Sequence, residues 1–452
     1  MTATVLHPAR TTSQMVRGAC PALSTPMMTG DGLLARIGLD APIAPADLAR
    51  IGELATRHGN GLIDISARGN FQVRGLTAAS ARALETDILR MNLPLRDGLP
   101  VETGALAGLD SHEIADPEPL SSSIRAFVSE HDLSRRLAAK FAVVVDGGGQ
   151  LPLHGLLADI RLLAVRREES LFWQVFLGGT MATGRGLGLV TDMDARTCVT
   201  LILARIAVMD VPLRGRELDP AEVKNWLAPI TLENAVSHAV TRPLPYGLLA
   251  LADIRKAAAR IGIPFGQCRA ETLIDLGQQA ATVGITGIRP AIDHSLVVFG
   301  REDACQQIMD HSRPLILSHN DPRAKISACP GKPACRSASL HTHALGEIAA
   351  RQAESLLDGS LTLHLSGCTK GCAHPSKALL NLVGMNDGTA LIFDGKTSDM
   401  PLKLIRHGEE AKALGALDEL VRLERGIGET TAKCLTRLGP ARLEQALSQG
   451  LS

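Results

Sequence analysis

The sequence predicts an α+β protein built around an internal duplication of a half-domain and completed by α/β domains. Three observations predict it. A helical pattern ending at a glycine, then strand, loop and strand, occurs twice along the chain. Strand-like and helix-like segments alternate between and after the two copies, as layered α/β packing requires. Near the C-terminus four cysteines stand in two clips set among these elements, Cys329 and Cys335 in SACPGKPACRS, and Cys368 and Cys372 in SGCTKGCAHP.

The first copy opens with ADLARIGELATRH, whose apolar residues recur at helical spacing up to Gly59. GLIDISARGNFQVRGL follows, where Leu62, Ile65, Phe71 and Val73, interrupted by small and polar residues, predict short strands around a loop. KFAVVVDGGG and LFWQVFLGG then predict strands, and DARTCVTLILARIAVM a helix. In GTMATGRGLGLV, Gly184, Gly186 and Gly188 lack the Gly-x-Gly-x-x-Gly spacing of a dinucleotide site, so the segment reads as a packing or substrate-approach loop between a strand and a helix. The second copy is ETLIDLGQQAATVG, a helix ending near Gly284, and the strand-like ITGIRPAIDHSLVVFG. LTLHLSG and ALIFDG predict two more strands, with a helix after the second cysteine pair. EEAKALGALDELVRLERG and ARLEQALSQG are helical, rich in (i, i+4) charge pairs, and read as a solvated appendage. The expected units are half-domains at 15–92 and 241–315, α/β domains at 93–240 and 316–400, and C-terminal helices at 401–452.

Lys plus Arg equals Asp plus Glu, 47 each, so net charge gives no reason to expect nucleic acid or an anionic membrane as a partner. The polar start lacks a signal-type apolar region and no uncharged run could span a bilayer, which leads to the expectation of a soluble, cytoplasmic protein. Nine cysteines, an odd number, argue against a disulfide framework. Cys20, Cys198, Cys268, Cys305 and Cys434 stand singly and read mostly as small core residues. The clips are different. Zinc clips usually place two to four residues between ligands, so Cys-x5-Cys fits zinc poorly, whereas Cys-x3-Cys would be acceptable. Four thiolates beside Gly331, Gly367 and Gly371 suit an iron–sulfur cluster, although the common ferredoxin spacings do not match.

A wide clip, a helix-containing stretch, then a tight clip at a strand end, with the string HLSGCTKGCAHP, resembles the sirohaem-dependent nitrite and sulfite reductases. SARGNFQVRG is similar to that superfamily's arginine-containing strand-loop segment, and TGALAGLDSHEIADPEPL to its Pro-Leu-Ala-Gly segment. The resemblance implies a nitrite/sulfite reductase-like fold, with two ferredoxin-like half-domain repeats packed with two α/β domains. It also implies a [4Fe–4S] cluster on Cys329, Cys335, Cys368 and Cys372, the last at the position that bridges to haem iron in those reductases. The departures matter. Where the reductases carry Lys-x-Lys this chain reads Lys140-Phe141-Ala142, and where they carry Arg-Asn it reads Leu99-Pro100. A doubly charged oxyanion held by too few cations would carry an uncompensated desolvation cost.

RGACPALSTPMMTGDGLLARI, RGNFQVRGL, KFAVVVDGGG followed by ADIRL, and SGCTKGCAHP together resemble the precorrin-3B synthase family of the same superfamily. That resemblance implies a monooxygenase of aerobic cobalamin biosynthesis, with precorrin-3A and dioxygen as substrates. Oxygen is placed on the meso carbon between rings A and D, with a lactone formed from a ring A acetate. Electrons come ultimately from NADH through a separate reductase or carrier, and a mononuclear non-haem iron accompanies the cluster. Arg68 and Lys370 are the leading candidates to grip the macrocycle's carboxylates, followed by Arg17, Arg36, Arg74, Lys140 and Arg336, while Lys377 reads as surface. For the mononuclear iron, His341, His343, His364, His374, or His112 with Glu113 and Asp116 are candidates, none with diagnostic spacing. Two alternatives stay open: a sirohaem-dependent reductase, which would hold sirohaem tightly, and a non-catalytic iron–sulfur electron carrier, for which the duplicated architecture is excessive.

Overall fold

Alternation of apolar and polar residues in LLARI, LIDI and FQVRGL buries one face of each strand and fixes their register. A computed structural model describes residues 22–235, 244–312 and 314–451. The first half-domain comprises β1 (Met27–Met28), β2 (Leu33–Ile37), α1 (Pro45–His58), β3 (Leu62–Ile65), β4 (Phe71–Leu76) and α2 (Ala78–Arg90). Thr77 caps α2 by accepting from the Ser80 N–H, and Ser80 returns the bond. The first α/β unit follows, with β5 (Val101–Glu102), α3 (Glu118–Glu130), β6 (Val143–Asp146), β7 (Ile160–Arg167), β8 (Ser170–Leu177), β9 (Arg185–Thr191), α4 (Asp192–Ala207) and α5 (Pro220–Trp226). The second half-domain is β10 (Gly247–Ala250), β11 (Ala257–Gly262), β12 (Gln267–Arg269), α6 (Ala270–Val283), β13 (Gly287–Ala291), β14 (Ser295–Gly300) and α7 (Glu302–His311). Last come β15 (Ile326–Ala328), α8 (Thr342–Gln352), β16 (Leu363–Ser366), β17 (Ala378–Met385), β18 (Gly388–Gly395), β19 (Lys403–Ile405), α9 (Glu410–Glu424) and α10 (Thr431–Gly450).

The half-domain sheets share one strand order, β2-β4-β3 and β11-β14-β13. They also exchange edges. Strand β12 pairs with β3, and Ile43 of the first copy bridges Ile288 of the second. Both helical layers meet in a single core containing Ile37, Leu48, Ile51, Ile63 and Phe71 with Ile261, Leu273, Ile288 and Leu296. Helices α1 and α6 approach closely through Gly52 and Gly277, where an added Cβ would lie 2.7 Å from Ile274 Cγ1 and 2.6 Å from the Pro45 carbonyl oxygen. A mid-helix glycine costs about 1 kcal/mol relative to alanine, and the close crossing offsets that cost.

The duplication extends further than the sequence patterns imply. Both α/β sheets run in order, β5-β6-β7-β8-β9 and β15-β16-β17-β18-β19, and in each the first three strands are parallel and the last two antiparallel.

Three expectations are corrected. The residues directly after the second cysteine pair form strand β17, not a helix, because ALLNLVGM is buried on both faces, while ALIFDG lies in β18 as expected. Gly186 and Gly188 lie inside β9 rather than in a loop, with Gly188 at φ 146° opposite a register shift between Val175 and Phe176. The C-terminal helices are not a solvated appendage: Leu417, Val421, Leu435, Leu443 and Leu447 join the core under β15 to β19.

Candidate functional site

Parallel pairing of β15 with β16 brings both cysteine clips to the same strand ends. Cys329 donates its N–H to the Leu365 carbonyl at 3.2 Å, and the Gly367 N–H points at Cys329 Sγ at 3.1 Å. Gly331 and Gly371 both turn at φ 59°, a conformation that favours glycine, and a Cβ on Gly331 would lie 2.2 Å from Thr342 Oγ1. Lys370 Nζ donates to Ser337 Oγ at 2.9 Å, latching the tight clip to the wide one. All four thiols are free, with Cys329 buried, Cys335 and Cys368 half-buried and Cys372 exposed. Burial pushes the Cys372 thiol up, its neighbours Cys368, Cys329 and Cys335 push it further, and Lys370 opposes them. The four sulfurs therefore share one electrostatic site that a cationic centre would relieve. Among the described residues no three His, Cys, Asp or Glu side chains converge as ligands of one ion.

The wide clip rests on the half-domain sheet face opposite the core. Both the Gly30 N–H and Arg74 Nη2 donate to the Ala334 carbonyl at 2.9 Å. Arg74 is 2% exposed. Its other donors reach Asp31 at 2.9 and 3.0 Å and Asp64 at 2.7 Å, and Gln267 Nε2 donates to the second Asp64 oxygen at 2.7 Å. The guanidinium of Arg74, a residue expected to face substrate, is engaged by two carboxylates and the clip. Arg36, half-buried on the same face, donates to the Gln72 carboxamide oxygen at 3.0 and 3.2 Å once that amide is oriented to receive it.

Arg68 is less fully engaged, with one ion pair to Glu102 at 3.9 Å. It stands on the β3–β4 loop, donates through Nη2 to the Leu157 carbonyl, and lines a pocket with Arg96, Glu102, Thr103, Arg289 and Ile292. Lys140, Arg336, Lys370 and Lys377 are exposed, Lys140 with φ 68°, and Arg17 lies outside the described residues. Leu99 and Ala142, at positions that differ from the reductase pattern, are buried apolar residues. Cys198, Cys305 and Cys434 are buried in cores as expected; Cys20 lies outside the described residues.

The histidines do not gather. His341 precedes α8 and is exposed, and His112 is exposed beside Asp110. His343 is half-buried, its Nε2 has no hydrogen-bond partner, and burial, then Arg74 and His294, pulls its pKa down to about 4. His364 is fully buried with Nδ1 2.9 Å from Asn381 Oδ1, and its ring centre lies 5.6 Å from that of His374. Glu113 sits with Asp110 and Asp146 around a small pocket beyond β5 and β6, the strand ends equivalent to those carrying the cysteine clips. Burial pushes its pKa up to about 8, against the hydrogen bond from the Gly108 N–H and with help from Asp110, Asp116 and Asp146. A carboxyl raised on folding contributes stability that is present below its unfolded pKa near 4.5 and lost as pH rises through the folded value. Glu113→Gln is therefore expected to change stability little near pH 4 and to raise it by about 1–2 kcal/mol near pH 9, allowing for solvent screening. Denaturant midpoints at both pH values check this, and an equal shift at both would rule out ionisation as the cause.

Asp31, Asp64, Arg96 and Arg289 were not among the candidates. Asp64 and Arg289 occupy matching places in the two repeats, so aligning the repeats strand by strand is the signal that would have found them.

Residues 26–91 match the family model of the nitrite/sulfite reductase ferredoxin-like half domain. Over 446 residues the chain is 36% identical to a Sinorhizobium precorrin-3B synthase, covering 98% of this chain and 97% of that one. The chain belongs to the precorrin-3B synthase family. Its kinship to a ferredoxin–nitrite reductase of Synechococcus elongatus is more distant, 22% identity over 417 residues, covering 82% of this chain and 81% of the reductase. The solved structure of the Mycobacterium tuberculosis NirA protein superposes with a TM-score of 0.73 at 18% identity, covering 91% of this chain and 84% of that one. The precorrin-3B synthase family thus shares the nitrite/sulfite reductase fold, with its mixed α/β content and ferredoxin-like half-domains. Among the described residues no helix is long and apolar enough to cross a membrane.

Proposed function

We propose that this protein is an iron–sulfur monooxygenase that converts precorrin-3A to precorrin-3B in aerobic cobalamin biosynthesis. The observation that carries the reading is whole-length kinship at 36% identity to a precorrin-3B synthase. One oxygen atom of dioxygen enters the macrocycle and the other leaves as water, with two electrons drawn ultimately from NADH through a separate reductase or carrier. Cys329, Cys335, Cys368 and Cys372 hold a [4Fe–4S] cluster, a reading supported by the meeting of both clips at the ends of the adjacent parallel strands β15 and β16 and by their four free thiols. When bound, the cluster supplies single electrons.

The chain's own residues bind and orient. Arg68, which lines the pocket with its Nη1 free of hydrogen bonds, offers a guanidinium to a substrate carboxylate, and Lys370, braced by Ser337, carries a positive charge beside the clips. Fixing carboxylates at set points decides which meso edge faces the oxidant. Buried Leu99 and Ala142 stand where the reductase pattern has an arginine and a lysine, which weighs against reduction of a small oxyanion. Among the described residues no three His, Cys, Asp or Glu side chains form a ligand set for a mononuclear iron, and no step is assigned to one. A cytoplasmic location accords with the free thiols.

The test is anaerobic purification with iron and sulfide analysis, then mass spectrometry after adding precorrin-3A, dioxygen and a reductant. Gain of one oxygen atom is the expected result; unchanged substrate, or protein that purifies with tightly bound sirohaem, would sink the reading.

A further inference from the structure

Strand β13 sends Ile288 into the shared core and Arg289 to the opposite face. In the first repeat Ile63 stands opposite Val73 and Asp64 opposite Gln72; in the second, Ile288 stands opposite Val298 and Arg289 opposite Val297. Arg289 thus takes the place that Asp64 takes in the other copy. The two positions are completed differently. Asp64 is closed by Arg74 and Gln267. Arg289 is only 9% exposed, yet among the described residues its guanidinium has no hydrogen-bond partner.

The nearby carboxylates are engaged elsewhere. Glu102 lies 2.8 Å from Arg96 Nη1, Asp40 2.9 Å from Arg96 Nε, and Glu118 2.8 Å from both Thr103 Oγ1 and Arg125 Nη2. Burial, and then the charge of Arg96, pulls the Arg289 pKa down against the opposing charges of Glu118, Glu102 and Asp40. Arg289 faces the pocket at the junction of the half-domains, beside Arg68, whose buried Nη1 has no hydrogen-bond partner and lies 3.9 Å from Glu102 Oε1. Three guanidinium groups therefore line one pocket whose only lining carboxylate is Glu102; Arg68 Nη1 is buried without a hydrogen-bond partner, and Arg289 makes no side-chain hydrogen bond among the described residues. Leaving buried donors unmade is costly unless a ligand completes them.

We infer that Arg289, with Arg68 and Arg96 beside it, forms a socket for one carboxylate of the acidic macrocycle. The inference rests on the function proposed above and identifies a residue that fixes substrate orientation. A planar guanidinium fork receives a carboxylate bidentately, and the apolar walls Ala105, Leu156 and Ile292 strengthen the bond by excluding water.

The test uses sirohydrochlorin, the metal-free and carboxylate-rich macrocycle of sirohaem, titrated against the full-length protein by absorbance and fluorescence. Arg289→Gln is expected to weaken its binding about tenfold while leaving the melting temperature unchanged or higher, because an unpaired buried cation is removed. Arg289→Lys, which keeps the charge and loses the fork, should bind between the two. A purely structural arginine gives the opposite pattern, lowered melting temperature with unchanged affinity, and that result overturns the socket. Unchanged affinity in Arg289→Gln overturns the socket alone. Failure of the unmodified protein to bind sirohydrochlorin overturns the proposed function and the socket with it.

Discussion

Replacing Cys368 with serine is expected to remove essentially all iron and acid-labile sulfide from anaerobically purified protein, and its activity with them. Cys368 opens the tight clip directly beyond β16, half-buried and without a disulfide partner. A serine hydroxyl is a harder and more weakly acidic ligand than a thiol, so the cage loses one corner with little change in side-chain volume. The backbone around that corner does not depend on the thiol. Ser366 Oγ donates to the Cys368 carbonyl at 2.7 Å, and the Ser339 N–H donates to the Gly367 carbonyl at 2.7 Å. The variant should therefore fold and keep its far-ultraviolet dichroism while the cluster's visible absorption disappears. Cys305→Ser is the control. That thiol is buried in the half-domain core with its pKa pushed up to about 11 by burial, an inert environment, so iron content should not change. Zinc without sulfide in the unmodified protein, or iron retained in Cys368→Ser, would defeat the ligand assignment.

Periodicity revealed what periodicity controls. Helices α1 and α6 and the strand pairs after them were legible because one face of each, Leu48 and Ile51 or Leu273 and Leu276, had to be apolar at fixed spacing. The exchange of β12 onto β3 was not legible, since three residues with an ordinary pattern acquire a partner only when the half-domains meet. The C-terminal helices misled for a related reason. Their exposed faces are dense with charge pairs such as Arg422 with Glu419, and these obscured the apolar stripe through Leu417 and Val421. Among the site residues, the cysteine clips were readable because their spacing is local. SARGNFQVRG contains two arginines whose fates differ, Arg68 partly engaged at a pocket and Arg74 closed, and nothing within the segment separates them. The carboxylates that close Arg74 come from Asp31 and Asp64, and its carbonyl acceptor from Ala334. Arg289 was missed by the same logic in reverse: its significance is the partner it lacks.

Arg74→Met should be among the most destabilising single substitutions in the protein, costing roughly 3–5 kcal/mol at neutral pH. Methionine restores the apolar volume of the stem but leaves Asp31 and Asp64 buried without a cation. In the unmodified protein burial works against the Asp31 carboxylate, yet the Arg74 hydrogen bonds hold its pKa below the usual range, whereas at Asp64 burial prevails and pushes the carboxyl up. A carboxyl lowered on folding contributes stability that is present above its unfolded pKa and lost as pH falls through the folded value. The Asp31 contribution is therefore at stake above about pH 4, and the gap between the two proteins should narrow in acid as the orphaned carboxyls take up protons. Urea midpoints at pH 7 and pH 4 measure this. Arg90→Met serves as reference: that side chain is 75% exposed and its loss should cost no more than about 0.5 kcal/mol. The effect should also reach the cysteines, because Ala334 then keeps only the Gly30 bond at 2.9 Å and the wide clip is tied to the half-domain by one contact fewer. Faster loss of cluster absorption to a chelator is expected in Arg74→Met and not in Arg90→Met. A cost below about 1 kcal/mol, or a gap that does not narrow in acid, would mean that the buried ion pair is not what holds this face to the clip.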